Sequence, residues 1–128
     1  MIDHASAGRL LDALAAALIS FDGDAWVDLF TPEGVFQRDP FEPALTGSNA
    51  LRAELHAAAL IEEQVEFTWE RHWVVPPTIL APWRMSYIQR QSRARVSLAG
   101  FATFEIADDG RVAWSRWWQV RRETPKTG

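Results

Sequence analysis

Glu70, His72, Arg84 and Arg116 are the residues of this chain whose types best suit proton transfer and oxyanion binding. Glu70 and His72 alternate in "TWERHW", so on an extended strand they share one face. Imidazole ordinarily titrates near neutrality and suits acid–base work. The same residues also read as a Glu70–Arg84 cross-strand pair with His72 at a solvent-exposed rim. Arg116 lies between Trp114 and Trp118. Its planar fork suits a carboxylate or phenolate, and it also suits plain stacking between aromatic rings. Asp39 precedes Pro40 in "FQRDPFEPALTG". It is either a base at the mouth of a pocket or a residue that closes a strand and shapes a turn. His4 and His56 have no second ligand at metal spacing, so no metal is expected. Nothing resembles a phosphate loop or a nucleophile elbow, and no cofactor is expected.

These groups must be positioned by two kinds of element. Residues 3–20 place Leu10, Leu11, Leu14 and Leu18 at helical spacing. Asp22-Gly23-Asp24 stops that helix and caps a second, in which Trp26, Leu29 and Phe30 share a face. "GVFQR" reads as a short strand, and Gly47-Ser48 opens a third helix to about Glu63 with Leu51 and Leu55 inward. The period then changes from 3.6 to 2. Four strands are expected at about 65–75, 78–91, 94–107 and 111–121, followed by a polar tail from about Glu123. Helices followed by an antiparallel meander make an α+β pattern in one domain spanning 1–128.

Tight turns and sensible cross-strand pairs suggest a register. Glu70 is set against Arg84, Arg84 against Gly100, and Ala102 against Arg116. One face then carries Glu70, His72, Arg84, Ser86, Gly100, Ala102, Trp114, Arg116 and Trp118. Its small centre and polar flanks suit a ligand cavity. Glu70, Arg84, Ser86, Ala102, Trp114, Arg116 and Trp118, with Trp26 from the second helix, are the candidate ligand-binding residues. Asp39 and His72 are the candidate catalytic ones. Two arginines against one glutamate favour an apolar or anionic aromatic ligand. The opposite face, with Trp69, Trp83, Met85, Phe101 and Trp117, is too apolar to leave in water. It is expected to form a homodimer.

The 128 residues are 48% hydrophobic and 23% charged, ordinary values for a folded domain. Cysteine is absent, which excludes disulfides and thiolate metal sites and fits a cytoplasmic setting. No apolar run approaches membrane-spanning length. The net charge of −4 is uneven: residues 67–128 carry 10 of the 13 Lys and Arg. Those cations are scattered among Trp and Val without a nucleic-acid-reading motif, so nucleic acid is not an expected partner.

The helix order, "DGDAWVDLFTPEGVF", the proline loop, "TGSNALRAEL" and the terminal "GRVAWSRWWQV" resemble the nuclear transport factor two-like superfamily over about residues 5–122. That superfamily includes ketosteroid isomerases, limonene-epoxide hydrolases and SnoaL-like polyketide cyclases. The resemblance implies a cone-shaped barrel: three N-terminal helices packed in a strongly bent mixed or antiparallel sheet around a deep pocket. Sheet-mediated dimers are also implied. The implied activity is small-molecule binding with cofactor-free acid–base chemistry of isomerase, cyclase or hydrolase type on a cyclic or carbonyl compound, or else a non-catalytic ligand-binding or dimerisation domain, since one fold hosts many functions. The catalytic patterns transfer incompletely. Ungapped counting puts Arg38 at the isomerase base position, Leu14 at its oxyanion tyrosine and a site near Ala102 at its sheet acid. Of the hydrolase Arg-x-Asp, Arg84 is kept while Ser86 replaces the acid, and Arg116 falls at the last-strand acid.

Overall fold

The computed structural model describes residues 1–126. Helix α1, His4–Ser20, starts where Asp3 accepts a 2.8 Å hydrogen bond from the Ser6 amide and Ser6 Oγ accepts one from Asp3 N. That reciprocal capping satisfies amides which otherwise lack partners. Ala7, Leu11, Leu14 and Ala17 recur at spacings of three and four and are buried. Phe21, in the left-handed region at φ 54°, ends the helix. Asp22 then caps α2, Gly23–Asp28, by accepting from Ala25 N at 3.0 Å. Helix α3, Ser48–Ile61, buries Leu51 and Leu55.

The strands are β1 (Phe30–Gln37), β2 (Leu45–Thr46), β3 (Glu62–Trp69), β4 (Trp73–Val75), β5 (Thr78–Gln89), β6 (Arg95–Ile106) and β7 (Val112–Thr124). They form one sheet in the order β2-β1-β7-β6-β5-β3, with β4 also on β5. Strand β1 runs parallel to β7 and every other pairing is antiparallel, so the sheet is mixed. The helices pack against its concave face and the sheet stays open. Four details depart from the sequence reading. Strand β1 begins at Phe30, which was expected on the second helix, and not at Gly34. The first expected meander strand is two strands, interrupted at 70–72. The short β2 was not expected. Strand β7 continues through Glu123 to Thr124 because β6 pairs with it to its first residue, Arg95.

The decisive correction is the register of β6. Arg84 stands opposite Ala99 and not Gly100; Gly100 pairs with Trp83 and Gln119; Ala102 pairs with Trp117 and not Arg116. Thr68, rather than Glu70, is opposite Arg84. The face with Trp69, Trp83, Met85 and Trp117 therefore gains Gly100 and Ala102 and, with Tyr87 and Phe104, becomes the concave interior. Trp83 and Trp117 are 2% and 5% exposed, so they cannot form the expected dimer surface. Phe101 sits on the outer face instead. The small residues do not leave a void; they make room for indoles. A Cβ on Gly100 would lie 1.9 Å from the Trp118 carbonyl oxygen and 2.9 Å from two ring carbons of Trp83. Glycine is needed there for close approach.

The core is a cluster of aromatic rings. Trp117 meets Phe36, Phe67, Trp69, Trp83 and Phe104 at centroid distances of 5.3–6.0 Å. These tilted and edge-on contacts are the favoured geometries of the ring quadrupole. Its Nε1 donates to Ser115 Oγ at 2.6 Å, and Trp69 Nε1 donates to the Leu11 carbonyl at 2.7 Å, tying α1 to the sheet.

Candidate functional site

A cavity of about 160 Å³ opens between the helices and the concave face. Aromatic residues floor it: Trp26, Phe36, Phe67, Trp83 and Trp117. Leu55, Met85 and Leu98 form apolar sides, and Arg38, Glu54, Glu62, Tyr87, Gln119 and Arg121 supply the polar groups. An apolar chamber with a few convergent polar groups is the usual form of a small-molecule site.

Glu62 is turned inward by a local irregularity. The pairing of β3 with β5 shifts between Glu63 and Glu66, and Gln64 takes a left-handed φ of 53°. In a regular strand, residues an odd number apart face opposite ways, so Glu62 and Phe67 would diverge. One extra residue restores Glu62 to the concave side, the re-aiming that a bulge produces. Glu63 faces outward, held by Arg90 at 3.0 Å and by Arg93.

Burial raises the Glu62 carboxyl from 4.5 to about 7; Arg38 opposes that rise and Glu54 adds to it. Burial also raises Tyr87, with the Glu62 charge contributing in the same direction, while Arg121 beside the phenol oxygen opposes it. Arg38 spans the mouth. It reaches Glu42 on the proline loop at 2.6 Å and Glu54 on α3 at 3.1 Å. The arrangement can hold an apolar ring, exchange a proton at Glu62 and donate hydrogen bonds from Tyr87, Gln119 and Arg121.

Of the candidate residues named from the sequence, Trp26 lines the cavity and is 2% exposed. The other candidates lie elsewhere. Ala102 is on the concave side but fully buried opposite Trp117. Glu70 and Arg84 form the expected ion pair, at 2.7 Å, on the outer face. Ser86 lies there too, 3.5 Å from Glu66. Arg116 stacks over Trp114 at 4.4 Å, and Trp118 is 40% exposed on the same outer face. His72 sits where the sheet edge breaks, its ring stacked 3.9 Å from that of His4 and its Nε2 3.0 Å from the His4 carbonyl oxygen. Asp39 accepts from the Phe41 amide at 2.9 Å and shapes the loop. Among the described residues no three His, Asp or Glu gather as a metal site, and no helix is long and apolar enough to cross a membrane.

Sequence reasoning missed Glu62, Tyr87, Gln119 and Arg121. A signal existed for three of them. Tyr87 continues the alternation of Trp83 and Met85, while Gln119 and Arg121 continue that of Trp117. Glu62 gave none, because the bulge breaks its alternation.

The fold is thus one of helices packed against the concave side of an open, curved mixed sheet. A model of the SnoaL-like domain matches residues 9–115, and the chain belongs to that family. A search of the curated proteins finds none that matches. Among solved structures, the chain is similar to the epoxide hydrolase/cyclase-like enzyme SalBIII of pyran ring formation in the polyether salinomycin. That match has 14% identity, a TM-score of 0.82, and covers 94% of this chain and 95% of that one. It is also similar to an LEH-like epoxide hydrolase from Mycobacterium tuberculosis, at 19% identity and TM-score 0.76, covering 91% and 84%. A protein of ketosteroid isomerase-like fold from Catenulispora acidiphila, solved with trimethylamine, matches at 12% identity and TM-score 0.78, covering 85% and 83%. At these identities the likeness is one of fold.

Proposed function

We propose that the chain binds a cyclic, carbonyl-containing small molecule in the aromatic cavity and performs cofactor-free acid–base chemistry with Glu62 as the proton carrier. One observation carries this reading: a carboxyl titrating at about 7 lies in an apolar chamber beside a tyrosine and an arginine. A base poised near the working pH combines a useful ionised fraction with a useful affinity for the proton. Glu62 would take a proton from carbon next to the carbonyl, and Tyr87 would donate a hydrogen bond to the oxygen as charge develops there. Return of the proton to another carbon makes the reaction an isomerisation. Asp39 and His72, outside the cavity, would have no direct part in that transfer.

Following deuterium uptake from D₂O into a bound cyclic enone tests this. The wild type should exchange it at least about 100-fold faster than Glu62→Gln. A second reading, ligand binding without turnover, is favoured by Leu14 and Ala102. Both are fully buried apolar side chains where the isomerase pattern has its oxyanion donors. Binding of the enone with equal exchange in wild type and Glu62→Gln would select it.

A further inference from the structure

The cavity also sets a size and a polarity for its occupant. At about 160 Å³ it matches the scale of an apolar protein cavity of about 150 Å³ that holds benzene. Its floor cannot recede, because Trp83 already fills the space above Gly100 and Trp117 packs against five other rings. Toward solvent the apolar lining narrows to Leu18, Phe21 and Ala58, beside the charged Arg38, Glu54 and Arg121. A second or third ring would have to lie against charged groups and strip their water.

Hydrogen-bonding groups on one wall keep unused capacity. Gln119 stands two strands from Trp83, with Gly100 between them. Trp83 Nε1 is buried and finds no acceptor among the described residues. The Gln119 amide makes no side-chain hydrogen bond to the described protein groups, and the Tyr87 oxygen accepts one from Arg121. Arg121 stands beside the Tyr87 oxygen, which leaves the hydroxyl hydrogen free to donate elsewhere. Tyr87 and Gln119 both carry donors left free on this wall, so a ligand that brings an acceptor is accommodated.

We propose that the cavity selects a single-ring compound carrying one acceptor oxygen, of the cyclohexenone or simple phenol class, with Tyr87 and Gln119 as the residues that read the oxygen. The ring lies on the floor of Phe67, Trp83 and Trp117. Four-ring ketones exceed the volume of about 160 Å³ and would have to protrude into solvent. The inference rests on reading the cavity as the ligand site and is independent of proton transfer by Glu62.

Titration of the intrinsic tryptophan fluorescence, with calorimetry as a second readout, tests it. The probes are cyclohexenone, phenol, toluene, 2-naphthol and a four-ring steroid ketone. Cyclohexenone or phenol should bind at least about tenfold more tightly than the steroid ketone. Tyr87→Phe should weaken phenol about tenfold and leave toluene unchanged, since it removes one hydrogen bond and little volume. Met85→Ala should move the preference toward 2-naphthol, a gain that misfolding cannot imitate. Glu62→Gln should keep the same ligand ranking, so loss of exchange and loss of size selection are separate results. The proposal is overturned by equal or tighter steroid binding, by no binding of any probe, or by equal losses of phenol and toluene in Tyr87→Phe.

Discussion

Replacing Glu62 by Gln should raise stability at alkaline pH and flatten its dependence on pH. In the folded chain the carboxyl holds its proton up to about pH 7, whereas a model carboxyl releases it near 4.5. Between those values the folded state binds more protons than the unfolded one, so stability falls as pH rises through the interval. Below 4.5 the group is neutral in both states and costs nothing by this route. Above about 7 the whole cost is present. The full difference in affinity corresponds to roughly 3 kcal/mol. Solvent at the rim screens part of it, which leaves about 1–2 kcal/mol. For a chain of this length that is a melting-temperature difference of roughly 3–10 °C. Thermal and urea unfolding of both proteins at pH 5, 6, 7 and 8 measures it. The curves should lie close together at pH 5 and separate progressively by pH 8, with the variant above. Parallel curves across the range would show that Glu62 is not held in a desolvating environment, and the inward turn at the bulge would then be wrong.

Three other outcomes are expected. Gly100→Ala should destabilise by roughly 2–3 kcal/mol in urea unfolding, because its methyl meets the Trp118 carbonyl, a backbone group that cannot rotate away; an unchanged midpoint would contradict the close approach. Gln64→Gly should stabilise by up to about 1 kcal/mol by relieving the left-handed φ of 53°, with deuterium exchange at wild-type rate since the bulge is kept; destabilisation would deny that the backbone there favours glycine. Self-association is expected through the outer face of β6 and β7. Trp118 and Val120, 40% and 72% exposed, lie there with Phe101 and Trp114. Sedimentation should then show a dimer that Trp118→Glu dissociates, and a wild-type monomer at micromolar concentration would sink the idea.

The sequence by itself determined the elements. Leucine and alanine spacing, Asp22 at a cap and the switch to alternation after the third helix placed the three helices and the long strands to within a few residues, because these signals are local, while the short β2 and the break between β3 and β4 gave no such signal. Alternation also separated Trp83, Met85, Tyr87 and Trp117 from Arg84, Ser86, Arg116 and Trp118 on their own strands. It could not say which set faces the helices. That was decided by the tertiary structure, through two non-local facts. The first is the pairing of β6, where a one-residue slip moved Gly100 and Ala102 from beside the arginines to beneath the indoles; register depends on how whole strands match, not on any pair. The second is the bulge at Gln64, where the paired lengths of β3 and β5 differ by one residue and Glu62 is turned inward. The catalytic candidates changed for that reason. Charge beside small residues suggested a cavity on the face that turned out to be solvent-facing. The enclosed volume lies on the other face, where the sheet curves around the helices and burial raises the affinity of Glu62 for its proton.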